Sequence, residues 1–187
     1  LEQEQAYLNA LNTVASYRMD ADRLELYNEA GTQILVYGPQ KAALTASIEA
    51  PESLSTGAEV KVKFTLTNAS SEGLFVLTWF TPLEGLAADI FNVQRDAEEL
   101  RYQGKMIKRA APTSDDYVWI EARGSVSAEV DLAEGYDFSQ AGQYSLQFRS
   151  PRLSHTAKTL EEQAGSVDEL LEIRIPSKTV SMTIGGP

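Results

Sequence analysis

The feature that most limits the possible folds is a period-two alternation of side chains that keeps restarting. In Glu59–Asn68 (EVKVKFTLTN), Val60, Val62, Phe64 and Leu66 fall on one side, with charged and hydroxyl residues on the other. A strand points successive side chains to opposite faces, so this pattern predicts a half-buried strand. Comparable runs occur at Leu44–Ala50, Leu74–Phe80, Ile90–Arg95, Val118–Glu121, Val126–Leu132 and Gln143–Arg149. Pro51, Gly57, Gly73, Gly85, Gly124 and Gly142 stand between them. Short strands punctuated in this way predict an immunoglobulin-like antiparallel β-sandwich. Tyr144, in AGQYSLQF, sits where a turn feeds a late strand, and fits either a tyrosine corner or an ordinary core tyrosine. Ser166–Glu169 has the form of a capping box, which predicts a short helix before Leu170. Pro176 divides two candidates for the last strand, Leu171–Ile175 and Lys178–Ile184. The alternation of Val180, Met182 and Ile184 favours the second as the strand that closes the sheet.

The beginning of the chain has a different texture. Residues 1–17 predict an amphipathic helix, with Leu8, Leu11, Val14 and Ala15 at helical spacing. Arg23–Tyr27 and Gln33–Tyr37 then alternate as two strands, Gly31 supplies a turn, and Gly38-Pro39 ends the unit. A helix and one hairpin are too small to bury a core of their own, so this unit is expected either to dock on the rest of the chain or to be the tail of a domain whose beginning is absent. The predicted division is a helix–hairpin unit over 1–39 and a sandwich over 40–187, giving a mainly β protein.

Composition removes several kinds of chemistry. The net charge of −11 argues against nucleic acid, whose phosphates need a basic face. There is no cysteine, which excludes disulfides, thiolate metal sites and thiol catalysis. His155 is the single histidine, so the HExxH pair of a zinc peptidase is impossible within this chain. No G-x-S-x-G accompanies it, and its polar neighbours predict a surface residue. Adjacent acids such as Asp115-Asp116 and Glu161-Glu162 fit solvated loops. No apolar run approaches the ~20 residues needed to span a bilayer. A chain that begins at Leu1 rather than Met fits processing or trimming. The reading is of a non-enzyme that needs no cofactor and no metal, and of a monomer. Asn68-Ala69-Ser70 is a glycosylation sequon, but its place at a strand end predicts a turn made by Asn68 and Ser70.

Two segments carry the candidate binding residues. The first is a hairpin over Trp79–Leu86 with large apolar groups at a turn-rich tip: Trp79, Phe80, Pro82, Leu83 and Glu84. Trp79 fits either a core position or an anchor in a partner's cleft, since aromatic anchors dominate interfaces. The second is Gln103–Pro112 (QGKMIKRAAP), with Lys105, Lys108 and Arg109 in an otherwise acidic chain.

The strings VKFTLTNASSEGLFVLTWFTPLEGLAADIFNV, YQGKMIKRAAPTSDDYVWI and VDLAEGYDFSQAGQYSLQF carry a resemblance. Over 44–150 the chain resembles the prosegment of secreted deuterolysin and peptidyl-lysine zinc endopeptidases (aspzincins). Such prosegments are similar to immunoglobulin-like sandwiches that hold the catalytic domain inactive. The resemblance implies a proteinaceous inhibitor or prosegment-like regulator, secreted or in the bacterial envelope, with a zinc metalloendopeptidase of peptidyl-lysine type as partner. It implies that Trp79 or Leu83 plugs a specificity pocket, that Lys105 and Lys108 mimic a selected lysine, and that, with no cysteine present, a group directed at the zinc ion would be a carboxylate such as Glu84. A second string, YLNALNTVASYRMDADRLELYNEAGTQILVYG, resembles the end of the META (HslJ-like) domain of envelope lipoproteins. Three arrangements stay open: a freestanding inhibitor, a piece of a zymogen, or an immunoglobulin-like module reused for envelope adhesion or binding.

Overall fold

The computed structural model describes residues 2–20, 23–37, 43–150 and 152–185. It divides into two compact units, Leu1–Lys41 and Ala42–Pro187. The predicted Gly38-Pro39 break lies outside the described residues.

In the first unit, helix α1 spans Glu2–Leu11. The strands β1 (Ser16–Asp20), β2 (Arg23–Tyr27) and β3 (Gln33–Tyr37) form an antiparallel meander. The helix is six residues shorter at its C-terminal end than the periodicity suggested. Asn12, Thr13 and Val14 are weak helix formers, and the Thr13 hydroxyl turns back to the Ala10 carbonyl at 2.8 Å. The strand that follows, paired residue for residue with β2, takes Ser16 and Tyr17 out of the helix. The expected hairpin is therefore a three-stranded sheet. The hydroxyls of Tyr7 on α1 and Tyr37 on β3 meet at 2.6 Å.

The second unit is a β-sandwich. One sheet has the order β11 (Ser125–Asp131), β6 (Lys61–Asn68), β4 (Leu44–Glu49). The other has the order β5 (Ser53–Ser55), β16 (Val180–Gly185), β12 (Gly142–Phe148), β8 (Phe91–Arg95), β9 (Glu98–Glu99). Pairing is antiparallel except between β16 and β5. The alternation read from sequence becomes the core: Val62, Phe64 and Leu66 of β6 face Tyr144, Leu146 and Phe148 of β12, all 1% exposed or less. The Phe64 and Phe148 rings meet across the sheets at 5.0 Å. Burial of each such ring contributes about 2–3 kcal/mol.

Tyr144 is a tyrosine corner: its hydroxyl donates to the Gln140 carbonyl, four residues upstream, at 2.7 Å. Asn68 makes the turn expected of it. Its side-chain amide donates to the carbonyls of Glu72, Ile120 and Glu121, and its Oδ1 accepts from the amide and hydroxyl of Ser70. Asn68 is fully buried, so no glycan fits on it in this fold. Both candidates for the last strand are strands. Leu171–Ile173 (β15) pairs with Arg152–Ser154 (β13), and β16 closes the larger sheet. The predicted short helix is one 3-10 turn, Val167–Glu169. Ser166 caps no backbone group there; instead the Glu169 carboxylate accepts from the Gly165 amide and the Ser166 hydroxyl.

A third, smaller sheet has the order β10 (Tyr117–Ile120), β7 (Leu74–Leu77), β14 (Thr156–Ala157). It changes the reading of residues 78–90. The strand predicted to run to Phe80 stops at Leu77. Thr78 then spends both its amide and its hydroxyl on the Asp116 carbonyl, at 2.8 and 2.9 Å. Phe80 adopts a φ of 57°, left-handed backbone that reverses the chain. Since β7 and β8 lie in different sheets, Trp79–Leu86 is a crossover between sheets and not a hairpin.

Candidate functional site

The crossover is built around Trp79. A 3-10 turn, Pro82–Glu84, follows it, with the Thr81 hydroxyl accepting from the Leu83 amide at 3.2 Å and Pro82 at the first position, where its missing N–H costs nothing. Gly85, at φ 85°, ends the turn in a conformation side chains disfavour. Trp79 is only 3% exposed and packs with Leu77, Ala164 and Leu170 in a small core separate from that of the sandwich. Its indole N–H donates to Asp116 Oδ1 at 2.8 Å. The Arg109 guanidinium lies over the ring, 4.9 Å from the centroid, in cation–π geometry.

Glu84 completes the cluster. One carboxylate oxygen accepts from the Phe80 amide at 2.8 Å, and the other pairs with Arg109. Their side chains are 12% and 17% exposed. Burial raises the Glu84 pKa above the usual carboxylate range, more than the Phe80 amide and Arg109 lower it. Asp116 shows the opposite balance. Burial works against its charge, but the Thr113 amide, the Trp79 indole and the Thr113 hydroxyl together hold its pKa below the ordinary value. Trp79, Glu84, Arg109 and Asp116 thus form one internal clamp, with both oxygens of Glu84 already engaged.

The candidate residues therefore separate by environment. Trp79 and Pro82 are buried, Phe80, Leu83, Glu84 and Arg109 are partly covered, and Lys105 and Lys108 are exposed. Between the lysines stand two side chains that the charge pattern drew attention away from: Met106, 80% exposed, and Ile107, 52% exposed. The signal was present in the sequence as an apolar pair with no alternating neighbours to place it in a core.

Backbone contacts hold this loop at its base. The Gln103 amide donates to the Gly135 carbonyl at 2.8 Å, and the Ile107 amide donates to the Ala87 carbonyl at 3.3 Å. The Tyr102 hydroxyl donates to the Lys105 carbonyl at 2.7 Å, with the Leu86 carbonyl also within reach at 3.2 Å. Tyr102 lies so close over Gly135 that a Cβ there would come within 2.4 Å of its ring.

His155 is partly buried, and its Nδ1 is 3.1 Å from the Tyr117 hydroxyl, which also accepts from the Ala164 amide. Among the described residues no cluster of histidine, aspartate or glutamate could hold a metal ion. Among the same residues no helix is long and apolar enough to cross a membrane.

No described protein family matches the chain. It is similar to a protein of Aeromonas hydrophila described as "Extracellular protease". The two are 32% identical over 111 residues, which is 59% of this chain and 32% of that protein. The chain thus matches about a third of the length of its relative.

Proposed function

We propose that this chain is a non-catalytic, secreted regulator of a zinc metalloendopeptidase, acting as an inhibitor or in the manner of an inhibitory prosegment. The observation that carries the reading is the likeness to an extracellular protease in a chain with one histidine and no HExxH. A β-sandwich domain with an exposed loop anchored by hydrogen bonds and an ion pair is suited to holding a cleft closed, because a preorganised element loses little freedom on binding. Burial of Trp79 argues that the contact belongs to exposed groups of the same region and not to its indole.

The test is a titration of the folded chain against a lysine-specific zinc endopeptidase, following cleavage of a small chromogenic peptide. Saturable, stoichiometric inhibition is expected. Unchanged turnover at micromolar chain, with native circular dichroism retained, would refute the reading.

A further inference from the structure

We propose that the loop Arg101–Ala111 docks through its tip, Lys105-Met106-Ile107-Lys108, into an apolar pocket with an acidic rim on a protein partner. The inference rests on the regulator reading and names the surface that reading needs. Three independent observations support it.

The first is exposure. Large apolar side chains in a folded domain normally find cover, and isolated exposed ones need no explanation. Here two stand side by side in one loop, at 80% and 52% exposure. Neither belongs to the two hydrophobic cores, nor to the partly buried groups packed against them.

The second is charge. The chain has a net charge of −11, yet Leu100 to Ser114 contains no carboxylate and holds Arg101, Lys105, Lys108 and Arg109. Arg109 is turned inward by Glu84 and Trp79, which leaves Lys105 and Lys108 as the cations flanking the apolar pair. A cation on either side of an apolar anchor complements a pocket with acids at its edge. An anionic membrane surface is the weaker match, because only two apolar residues would insert and the remaining acidic surface would be repelled.

The third is stiffness where it matters. The loop has no strand or helix, but both shoulders are fixed. Tyr102 and Gln103 on one side make the hydrogen bonds given above, Arg109 on the other is held by the Glu84 pair and the Trp79 ring, and the Ile107 amide ties the backbone of the tip itself to the Ala87 carbonyl. Gly104 lets Tyr102 fold over the loop, since a Cβ there would come within 2.6 Å of its hydroxyl. An exposed tip on anchored shoulders is the form of a docking loop, whose ordering cost is met within the free protein.

The experiment uses the full chain, its M106S/I107S variant and its K105E/K108E variant, each titrated against the lysine-specific zinc endopeptidase. All four positions are exposed, so both variants should keep the wild-type circular dichroism and melting temperature. M106S/I107S should weaken inhibition roughly tenfold or more, as expected for loss of a central anchor. K105E/K108E should weaken it by about tenfold, chiefly through slower association, with a loss that shrinks as salt rises. If wild type does not inhibit, the regulator reading and this inference fall together. If wild type inhibits and both variants match it, the inference alone is overturned. A parallel sedimentation assay with vesicles of phosphatidylglycerol and phosphatidylcholine covers the remaining case. Wild-type binding to vesicles that is lost in M106S/I107S would assign the tip to a lipid surface and overturn the protein-pocket proposal.

Discussion

Replacing Trp79 with alanine separates a core tryptophan from a partner-facing one. The indole is 3% exposed among Leu77, Ala164 and Leu170, donates to Asp116 at 2.8 Å and lies beneath Arg109. Truncating a buried aromatic costs about 3–5 kcal/mol through lost transfer energy and the cavity left behind. Loss of the cation–π contact and of the donor to Asp116 places the variant toward the upper half of that range. For a domain of this size about 4 kcal/mol corresponds to a fall in melting temperature of about 8–16 °C. Trp79→Phe keeps most of the packing but not the N–H, and should lose only about 1.5–3 kcal/mol, the range for a hydrogen bond to a charged group. The assay is urea unfolding followed by far-ultraviolet circular dichroism, because the substitution removes one of the two fluorescent indoles. A loss below about 1 kcal/mol for Trp79→Ala, together with weakened inhibition, would refute the interior placement and return the indole to the interface.

Three further outcomes follow from particular contacts. Tyr144→Phe removes the hydrogen bond to the Gln140 carbonyl and should cost about 1–1.5 kcal/mol in urea unfolding, with the native spectrum unchanged. Gly135→Ala pushes a methyl group into the Tyr102 ring, so it should loosen the loop tip. Faster trypsin cleavage after Lys105 or Lys108, seen by mass spectrometry, is the expected sign, and an unchanged cleavage rate would contradict the anchoring role of Tyr102. Glu84 predicts a pH effect with a definite sign. Its folded pKa is raised, so just above the ordinary carboxylate range the folded chain keeps a proton that the unfolded chain has lost. Stability from this group therefore declines as pH rises through that window, opposite to the contribution of Asp116, which is lost as pH falls. In Glu84→Gln the Glu84 contribution should vanish, so stability measured from pH 4 to 7 should rise more steeply with pH than in wild type.

The sandwich was legible because its strands are half-buried and interrupted by Gly and Pro, which makes both periodicity and boundaries visible. Val62, Phe64 and Leu66 could face only one way if Lys61, Lys63 and Thr65 were to stay wet. The same logic fails at β7. Leu74 and Val76 face the sandwich core, Leu77 enters the Trp79 cluster, and Phe75 packs on Trp119 at 4.8 Å. A strand covered on both sides reads as a continuous apolar run, so alternation cannot assign its end or the direction of Trp79. The last rung of its ladder is the Asp116 carbonyl, which takes both donors of Thr78 across 38 positions of sequence. That contact is tertiary and has no local signature.

Charge was the other ambiguous signal. Lys105, Lys108 and Arg109 read as one basic cluster, since sequence records the sign of a side chain and not its burial. The fold divides them: two lysines remain in water, and the arginine is drawn inward by Glu84, 25 positions away, and by the face of Trp79. Arg is the cation suited to this place because its planar guanidinium can stack on an indole while pairing with a carboxylate. A buried pair contributes little net stability once its desolvation is counted, but removing one member strands the other. The clamp is therefore better understood as a device that fixes geometry. It holds the shoulder of the basic loop at a set distance from the crossover and so determines where Met106 and Ile107 are presented. On this reading the tryptophan that seemed the natural anchor acts one step back from any partner, as the seat of the loop that carries the exposed groups.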